Sequence, residues 1–261
     1  MATATAIEGV NFLTQSPVRI RILELLYENE EMLKHDLKDR VDAARVTVRR
    51  NVDALEERDL IVATGQTREL TPLGEVVVED VLPAVRVADV VERLRPFIRW
   101  FPEDQLDFDL RALADAKIVV SDTSDPYAPV NRHLEVMQTA TQFRWLLPAV
   151  GLQPIMVARD CVVEDGTDHE MVVDEAVAET LRAESAYQSV VSDLLSADNC
   201  RLFVAGEIAY YLGLCETCVQ IGVEDNSGLP RALVETDATD VREWAERSYD
   251  QYRRQATPFT P

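Results

Sequence analysis

The stretch from Ala44 to Leu60, ARVTVRRNVDALEERDL, admits few folds. Val48, Val52 and Leu55 recur at four-then-three spacing and so share one helical face, while Arg45, Thr47, Arg49 and Arg50 point away from it. One face packs and the other is free to meet a partner. Arg45, Arg49 and Arg50 occupy the first half of this helix and Asp53, Glu56 and Glu57 the second. Only the N-terminal half is basic enough for a phosphate-lined groove.

The flanking segments say what the helix belongs to. A short helix is expected around Ile7 to Phe12. Ser16 and Pro17 then start a firmer one, with Ser16 as N-cap and Pro17 where its missing N–H costs nothing. Ile20, Leu23 and Tyr27, with Ile22, Leu25 and Leu26 beside them, form its apolar face. Met32, Leu33 and Leu37 mark a second helix, and KDRVDAA turns the chain into the third. Leu60 to Thr64 and Arg68 to Leu70 read as two strands around Gly65, Gln66 and Thr67. Three helices followed by a hairpin describe an α+β winged helix-turn-helix. The expected partner is double-stranded DNA, contacted by Arg45, Thr47, Arg49 and Arg50 on the third helix and by Gln66, Thr67 and Arg68 at the wing tip. The alternative is a protein-interaction module that does not bind DNA, its arginines paired with Asp53, Glu56 and Glu57.

Thr71 and Pro72 open the next helix, Pro72 to Leu94, in which Pro83 is expected to cause a kink or break. Val78, Val81, Val85, Ala88 and Val91 recur at helical spacing, and Val77, Leu82, Val87 and Val90 add apolar surface on other sides. That is more than one neighbour needs, so the first five are read as a homodimer interface; a helix buried between two domains of one chain is the other reading. Pro96, Pro102 and PEDQLDFD form a hinge. Strands are then expected at Lys117 to Ser121, Gln153 to Val163, Cys200 to Ala205, Cys218 to Glu224 and Leu233 to Glu235, with helices at 129–147, 174–195 and 238–256. Interleaved strands and helices imply an α/β domain. The expected organisation is a DNA-binding domain over 1–71, a linker or dimerisation helix over 72–101, and an α/β sensing or assembly domain over 102–261.

Charge separates this chain from ordinary proteins. It has 47 acidic and 26 basic residues, net −21, and Lys occurs only at Lys34, Lys38 and Lys117, the other basic residues being Arg. The acids are scattered through apolar-periodic segments, so a disordered acidic tail does not account for them. Such a surface resembles those of haloarchaeal proteins working in molar salt, where the Debye length falls to about 3 Å and self-repulsion is screened; an ordinary acidic bacterial protein is the other reading. With no apolar run of membrane-spanning length and no signal-peptide pattern in MATATAIEGV, a cytoplasmic protein without membrane contact is expected.

Candidate sites beyond the helix are sparse. Cys215 and Cys218 flank Glu216 and Thr217, and a redox or metal role for them is set against buried structural thiols; Cys161 and Cys200 are isolated. Asp160, Glu164, Asp165, Asp168, His169 and Glu170 read as a solvated acidic surface. The chain contains no nucleophile elbow, P-loop or dinucleotide fingerprint, and neither His133 nor His169 has a visible catalytic partner. No enzyme, cofactor or metal is expected. Arg144, Trp145, Glu207, Tyr210 and Tyr211 are the candidate effector pocket, with stabilisation of the domain as their plainer role.

The chain resembles archaeal winged-helix regulators with a methanogenesis-regulatory, filament-regulator type of middle domain. The segments that carry the likeness are SPVRIRILELL, RVTVRRNVDALEERDLIV and RELTPLGEVV, then SDTSDPYAPVNRHLEVMQTATQFRWLLP, GEIAYYLGLCETCVQIGVEDNSGLPRALVETD and WAERSYDQYRRQA. The resemblance implies a sequence-specific, dimeric transcription factor whose α/β domain senses a small molecule or assembles the protein. Where such regulators often place Ser or Thr before the recognition helix, this chain has Ala43 and Ala44, leaving Asp42 as the expected cap.

Overall fold

The computed structural model describes residues 3–261. Contacts divide the chain into two units, with the boundary between Asp89 and Val90.

The first unit contains α1 (Ala4–Thr14), α2 (Pro17–Asn29), β1 (Glu31–Leu33), α3 (Lys34–Arg40), α4 (Arg45–Glu56), β2 (Ile61–Thr64) and β3 (Thr67–Leu70), and ends in the first part of α5 (Pro72–Ile98). Val48, Val52 and Leu55 of α4 are buried against Ile22, Leu23, Leu25 and Leu26 of α2, with Leu37, Val78 and Leu82 closing the same core. Full burial of each such side chain contributes about 1.5–3 kcal/mol. Asp59, in the left-handed region at φ 54°, ends α4, and the Leu60 N–H returns to the Leu55 carbonyl. Gly65 at φ 63° makes the tight turn of the β2–β3 hairpin. Thr71 caps α5 through Gly74 N–H, 3.1 Å from its Oγ1. A side chain at Gly74 would collide with the Leu60 carbonyl, so the helix start and the hairpin touch backbone to backbone.

Three expectations change here. Met32 and Leu33 lie in β1, not in a second helix: β1 pairs antiparallel with β3 in a sheet of order β1-β3-β2, and long-range pairing overrides the local helical pattern. The cap of α4 is Ala44 rather than Asp42, and no side chain caps it. Helix α5 runs through Pro83 to Ile98, so neither Pro83 nor Pro96 interrupts it, and Phe97 and Phe101 are buried in the second unit where a hinge was expected.

The second unit is an α/β domain on an eight-stranded sheet of order β11-β7-β6-β5-β8-β9-β10-β4. Its elements are β4 (Lys117–Val120), α6 (Ala128–Met137), β5 (Gln142–Leu147), α7 (Leu152–Val163), β6 (Asp168–Val173), α8 (Glu175–Ala183), α9 (Ser185–Ser196), β7 (Cys200–Val204), β8 (Tyr211–Leu214), β9 (Val219–Glu224), β10 (Pro230–Thr236), α10 (Thr239–Gln255) and β11 (Thr257–Pro258). Strands β5, β6 and β7 are parallel, whereas β8 returns antiparallel on the other side of β5. The direction of winding therefore reverses beside β5. Strand alternation sends Phe143, Trp145 and Leu147 into the core shared with α6–α9, and Leu146 into the core shared with α10 and the end of α5.

Two sequence expectations fail in this unit. Residues 153–163 form helix α7, not a strand; Ile155, Ala158 and Val162 are buried at helical spacing although the segment is rich in β-branched and apolar residues. The helix expected over 129–147 ends at Met137, and Gln142–Leu147 is the central strand β5. Among the described residues no helix is long and apolar enough to cross a membrane.

Candidate nucleic-acid interface and ligand cavity

The exposed face of α4 carries Arg45, Val46, Arg49 and Arg50. Val46 is 80% exposed, unusual for an aliphatic residue on an ordered helix, and is a position that charge-based reasoning passed over. Thr47 sits at the edge of this face, half buried, its carbonyl accepting from Asn51 Nδ2 at 2.8 Å. Arg49 Nε lies 3.7 Å from Asp53 Oδ2, and Lys34 Nζ 4.0 Å from Asp53 Oδ1, so one carboxylate holds back two cations. Arg50 has two companions that the sequence pattern did not single out. Arg19 and Arg58 each place their guanidinium carbon 3.9 Å from the Phe12 ring centroid. The Arg19 guanidinium is shifted below its usual range by burial, then by the charges of Arg58 and Arg50. Three arginines thus crowd one edge of α4.

On the β2–β3 hairpin, Gln66 is exposed at the turn and Thr67 half buried, its hydroxyl donating to the Thr64 carbonyl at 2.8 Å. Arg68 does not reach outward. It is 8% exposed, ion-paired with Glu56, and its Nη1 donates to the Thr67 carbonyl at 2.8 Å. Strand alternation turns position 68 inward onto α4, which removes it from the set of DNA contacts.

The proposed interface residues on α5 separate in the same way. Val78 is buried and Val81 partly buried in their own unit's core, so these two face inward rather than toward a second molecule. Val85 is half buried, whereas Ala88 and Val91 are exposed. Leu73, Val76 and Val87 are exposed as well, Val76 at 59% and Val87 at 41%.

In the second unit a cavity of about 490 Å³ opens at the carboxyl end of β5, where the winding reverses. Trp145, Tyr211, Gly222, Glu224 and Leu233 project from four neighbouring strands toward it. Pro129, Val130 and His133 of α6, the β5–α7 loop with Ile155, and the β9–β10 turn wall it in. Of the five residues expected to form an effector pocket, only Trp145 and Tyr211 are here. Arg144 and Tyr210 are one position out of phase and face the other side of the sheet. Arg144 sits over Tyr249, 5.2 Å to the centroid, and 3.5 Å from Glu246; Tyr210 stacks on Trp244 at 5.7 Å. Glu207 is exposed in the β7–β8 connection.

A polar chain running from half-buried Arg132 and Glu235 to buried Gln220 and His133 supports the cavity. Arg132 grips Glu235 with two hydrogen bonds, of 2.7 and 2.5 Å, and Glu235 Oε2 accepts from Gln220 Nε2 at 3.1 Å. Gln220 Oε1 consequently faces His133 and accepts from Nδ1–H at 3.1 Å, with the Tyr211 oxygen 2.8 Å from the same nitrogen. Burial lowers the His133 pKa to about 4, so the ring is neutral at neutral pH. Burial raises the Tyr211 phenol. Gly213 leaves room for this arrangement, since a side chain there would overlap the Tyr211 hydroxyl and the Phe143 ring.

Cys215 and Cys218 close the two-residue β8–β9 turn, with the Cys215 N–H 3.1 Å from the Cys218 carbonyl and the sulfurs 3.5 Å apart. Hydrogen bonding with Cys218, with a further contribution from Thr217, lowers the Cys215 pKa to about 5, while the Cys218 thiol is raised. Both are buried, as are Cys161 and Cys200. The acidic cluster is dispersed: Arg159 pairs with Asp160, Glu164 and Asp193, Glu170 with Arg201 and Arg253, and His169 is buried in β6.

Residues 126–255 match the family model of the middle domain of FilR1, a methanogenesis regulatory protein. Residues 7–93 match the model of the HVO_A0261 N-terminal domain. The first match lies within the second unit and the second spans most of the first unit, and together they support a transcription regulator. No curated protein matches the chain. Among solved structures, TrmBL2, described as an archaeal chromatin protein with a novel mode of DNA binding, aligns over 98% of this chain and 100% of its own at 11% identity and TM-score 0.42. NucT from Helicobacter pylori covers 55% of this chain and 98% of its own, at 12% identity and TM-score 0.45. Nuc from Salmonella typhimurium, a phospholipase D family member, covers 56% and 99%, at 14% and 0.44. At these scores the three structures carry no functional argument.

Proposed function

We propose that the chain is a sequence-specific, DNA-binding transcription regulator of a halophilic archaeon, acting as a homodimer and sensing a small molecule in its α/β domain. The observation that carries this is the outward face of α4. Arg45, Arg49 and Arg50 stand exposed there on a chain of net charge −21, while the opposite face is fully packed. In the proposed complex α4 enters the major groove and the β2–β3 hairpin serves as the wing. Arg45 and Arg49 have the fork that reads guanine, exposed Val46 suits a thymine methyl, and Arg50 with Arg19 and Arg58 meets phosphate. Gln66 and Thr67 contact the backbone from the wing.

The dimer uses the exposed stripe Leu73, Val76, Ala84 and Val87, which corrects the composition of the α5 interface while keeping the helix. No enzymatic step is part of the proposal: His133, the base at the cavity, has its Nδ1 engaged by Gln220 and Tyr211. The pairing of Arg49 with Asp53 favours a second reading, a protein-interaction module whose cations are spent internally.

Selection of bound duplexes from a random pool in multimolar KCl tests the proposal. Enrichment of one palindromic motif by the wild type and its loss in the Arg45→Ala/Arg49→Ala/Arg50→Ala variant is expected. Equal, motif-free recovery by both proteins refutes DNA reading by α4 and supports the interaction module.

A further inference from the structure

The cavity beside β5 has a definite chemical bias. Its walls are apolar at Val130, Leu147, Ile155 and Leu233, and aromatic at Trp145 and Tyr211, with Tyr127 at the rim. Among the described residues no Lys or Arg lines it. Glu224 does, and it is half buried with no hydrogen-bond or ion-pair partner among the described residues. The ionisable neighbours of its carboxylate compound the charge. Asp174 caps α8 through Val177 N–H at 2.8 Å, and Asp225 is committed to Arg231, Ser227 and Leu229. Burial first, then the charges of Asp174 and Asp225, raise the Glu224 carboxyl above its usual range. His133, neutral at neutral pH, supplies no compensating cation.

An apolar site with one unmatched carboxylate disfavours anions through repulsion, and favours a ligand that brings the missing positive charge. Trp and Tyr rings add attraction for a weakly hydrated cation through the negative faces of their π-systems. The volume is within the roughly 300–1,000 Å³ typical of small-ligand sites. Gly222 widens the floor: a side chain there would press on Tyr211 at 3.0 Å.

The geometry points to an organic monocation with an apolar body, an aryl or alkyl ammonium, as the ligand of this cavity, with Glu224 as its counter-ion and Tyr211, Trp145 and Tyr127 as its aromatic surround. As an effector site it rests on the regulatory reading above, whereas its occupancy can be measured without DNA.

Benzyltrimethylammonium is the probe, with its uncharged carbon isostere and 3-phenylpropionate as comparisons, titrated into the full-length protein by calorimetry and tryptophan fluorescence. The cation is expected to bind at least tenfold more tightly than either comparison. Glu224→Gln should remove that preference while leaving weak apolar binding, Glu224→Asp should retain part of it, and Leu233→Trp should block all three compounds. Absence of saturable binding by the wild-type protein, equal binding of cation and isostere, or preference for the anion overturns the assignment, including where Glu224→Gln does not fold. A parallel titration with the selected duplex separates the two readings. Cation binding that leaves DNA affinity unchanged overturns sensing but not the site, and DNA binding with an indifferent cavity overturns the site but not the regulator.

Discussion

Arg68, on the hairpin strand β3, is buried against α4 and ion-paired with Glu56, so the hairpin is fastened to the helix beside it by charge as well as by packing. Removing one partner strands the other in a poorly solvated position, at a cost of about 1–3 kcal/mol. Arg68→Ala should lower the free energy of unfolding of the first unit by that amount, whereas Arg68→Met/Glu56→Met together should cost less than the sum of the single changes. Denaturant titrations read out by α4-proximal hydrogen exchange measure the cycle. Additive losses would show that the pair is not coupled.

Asp53 draws on Arg49 and Lys34 at once, at 3.7 and 4.0 Å. In the proposed complex it also repels phosphate. Asp53→Asn should therefore tighten duplex binding several-fold in 0.1–0.3 M salt and steepen the slope of log affinity against log salt by about one unit, the increment for one more phosphate neutralised. Arg49→Ala should weaken binding by roughly 10- to 100-fold, the scale of one lost bidentate base contact. An unchanged slope in Asp53→Asn would show that Asp53 does not hold charge back from the interface.

Along α5, Val76 and Val87 are exposed while Val78 and Leu82 are packed within the first unit, so substitutions on the two faces should have separable effects. Val87→Asp is expected to shift sedimentation from dimer to monomer with the helical content intact. Val78→Asp should instead unfold the unit, since it places an unpaired charge in its core. A wild-type protein that sediments as a monomer throughout the micromolar range would refute the stripe as a dimer contact.

Local periodicity made the first unit largely legible. Val48, Val52 and Leu55 repeat over about two turns, Ser16-Pro17 and Thr71-Pro72 mark helix starts, and Gly65 sits where the turn requires positive φ. What escaped depends on partners distant in sequence. Met32 is in a strand because Arg68 is opposite it, and the DHEMVV of β6 is a strand with a buried histidine because β5 and β7 flank it on both sides. Helix α7 escaped for another reason, as Ile155, Met156, Val157, Val162 and Val163 read equally well as a buried strand until the Ala158 and Cys161 spacing is weighed.

The cavity was half legible. Aromatic residues at 145 and 211 were visible, but a pocket list drawn by residue type ignores the two-residue period that sends Arg144 and Tyr210 to the opposite face. Glu224 carried no signal of its own. At the end of VQIGVED it looks like one more surface acid in an acidic chain, and only the folding of the β9–β10 turn places it beside Tyr211 and Leu233.

His133 and His169 lie 7% and 2% exposed on the same side of the sheet, and both titrate near 4 when folded. Burial is the main cause for each, with the His133 charge adding to it for His169. An unfolded histidine titrates near 6.5. Between about pH 6.5 and 4 the unfolded chain thus binds protons that the native chain refuses, so native stability falls as pH drops through that window and is restored as pH rises. At about 1.4 kcal/mol per unit, each histidine accounts for about 3.5 kcal/mol across the full window. Urea midpoints at pH 7 and pH 5, both above the range where most carboxylates protonate, should show the wild type losing stability on acidification. His133→Asn, which retains a donor for Gln220 but does not titrate, should lose about half as much. Equal losses in the two proteins would mean that His133 is protonated within the fold and that the Gln220–His133–Tyr211 chain rearranges to accept the charge.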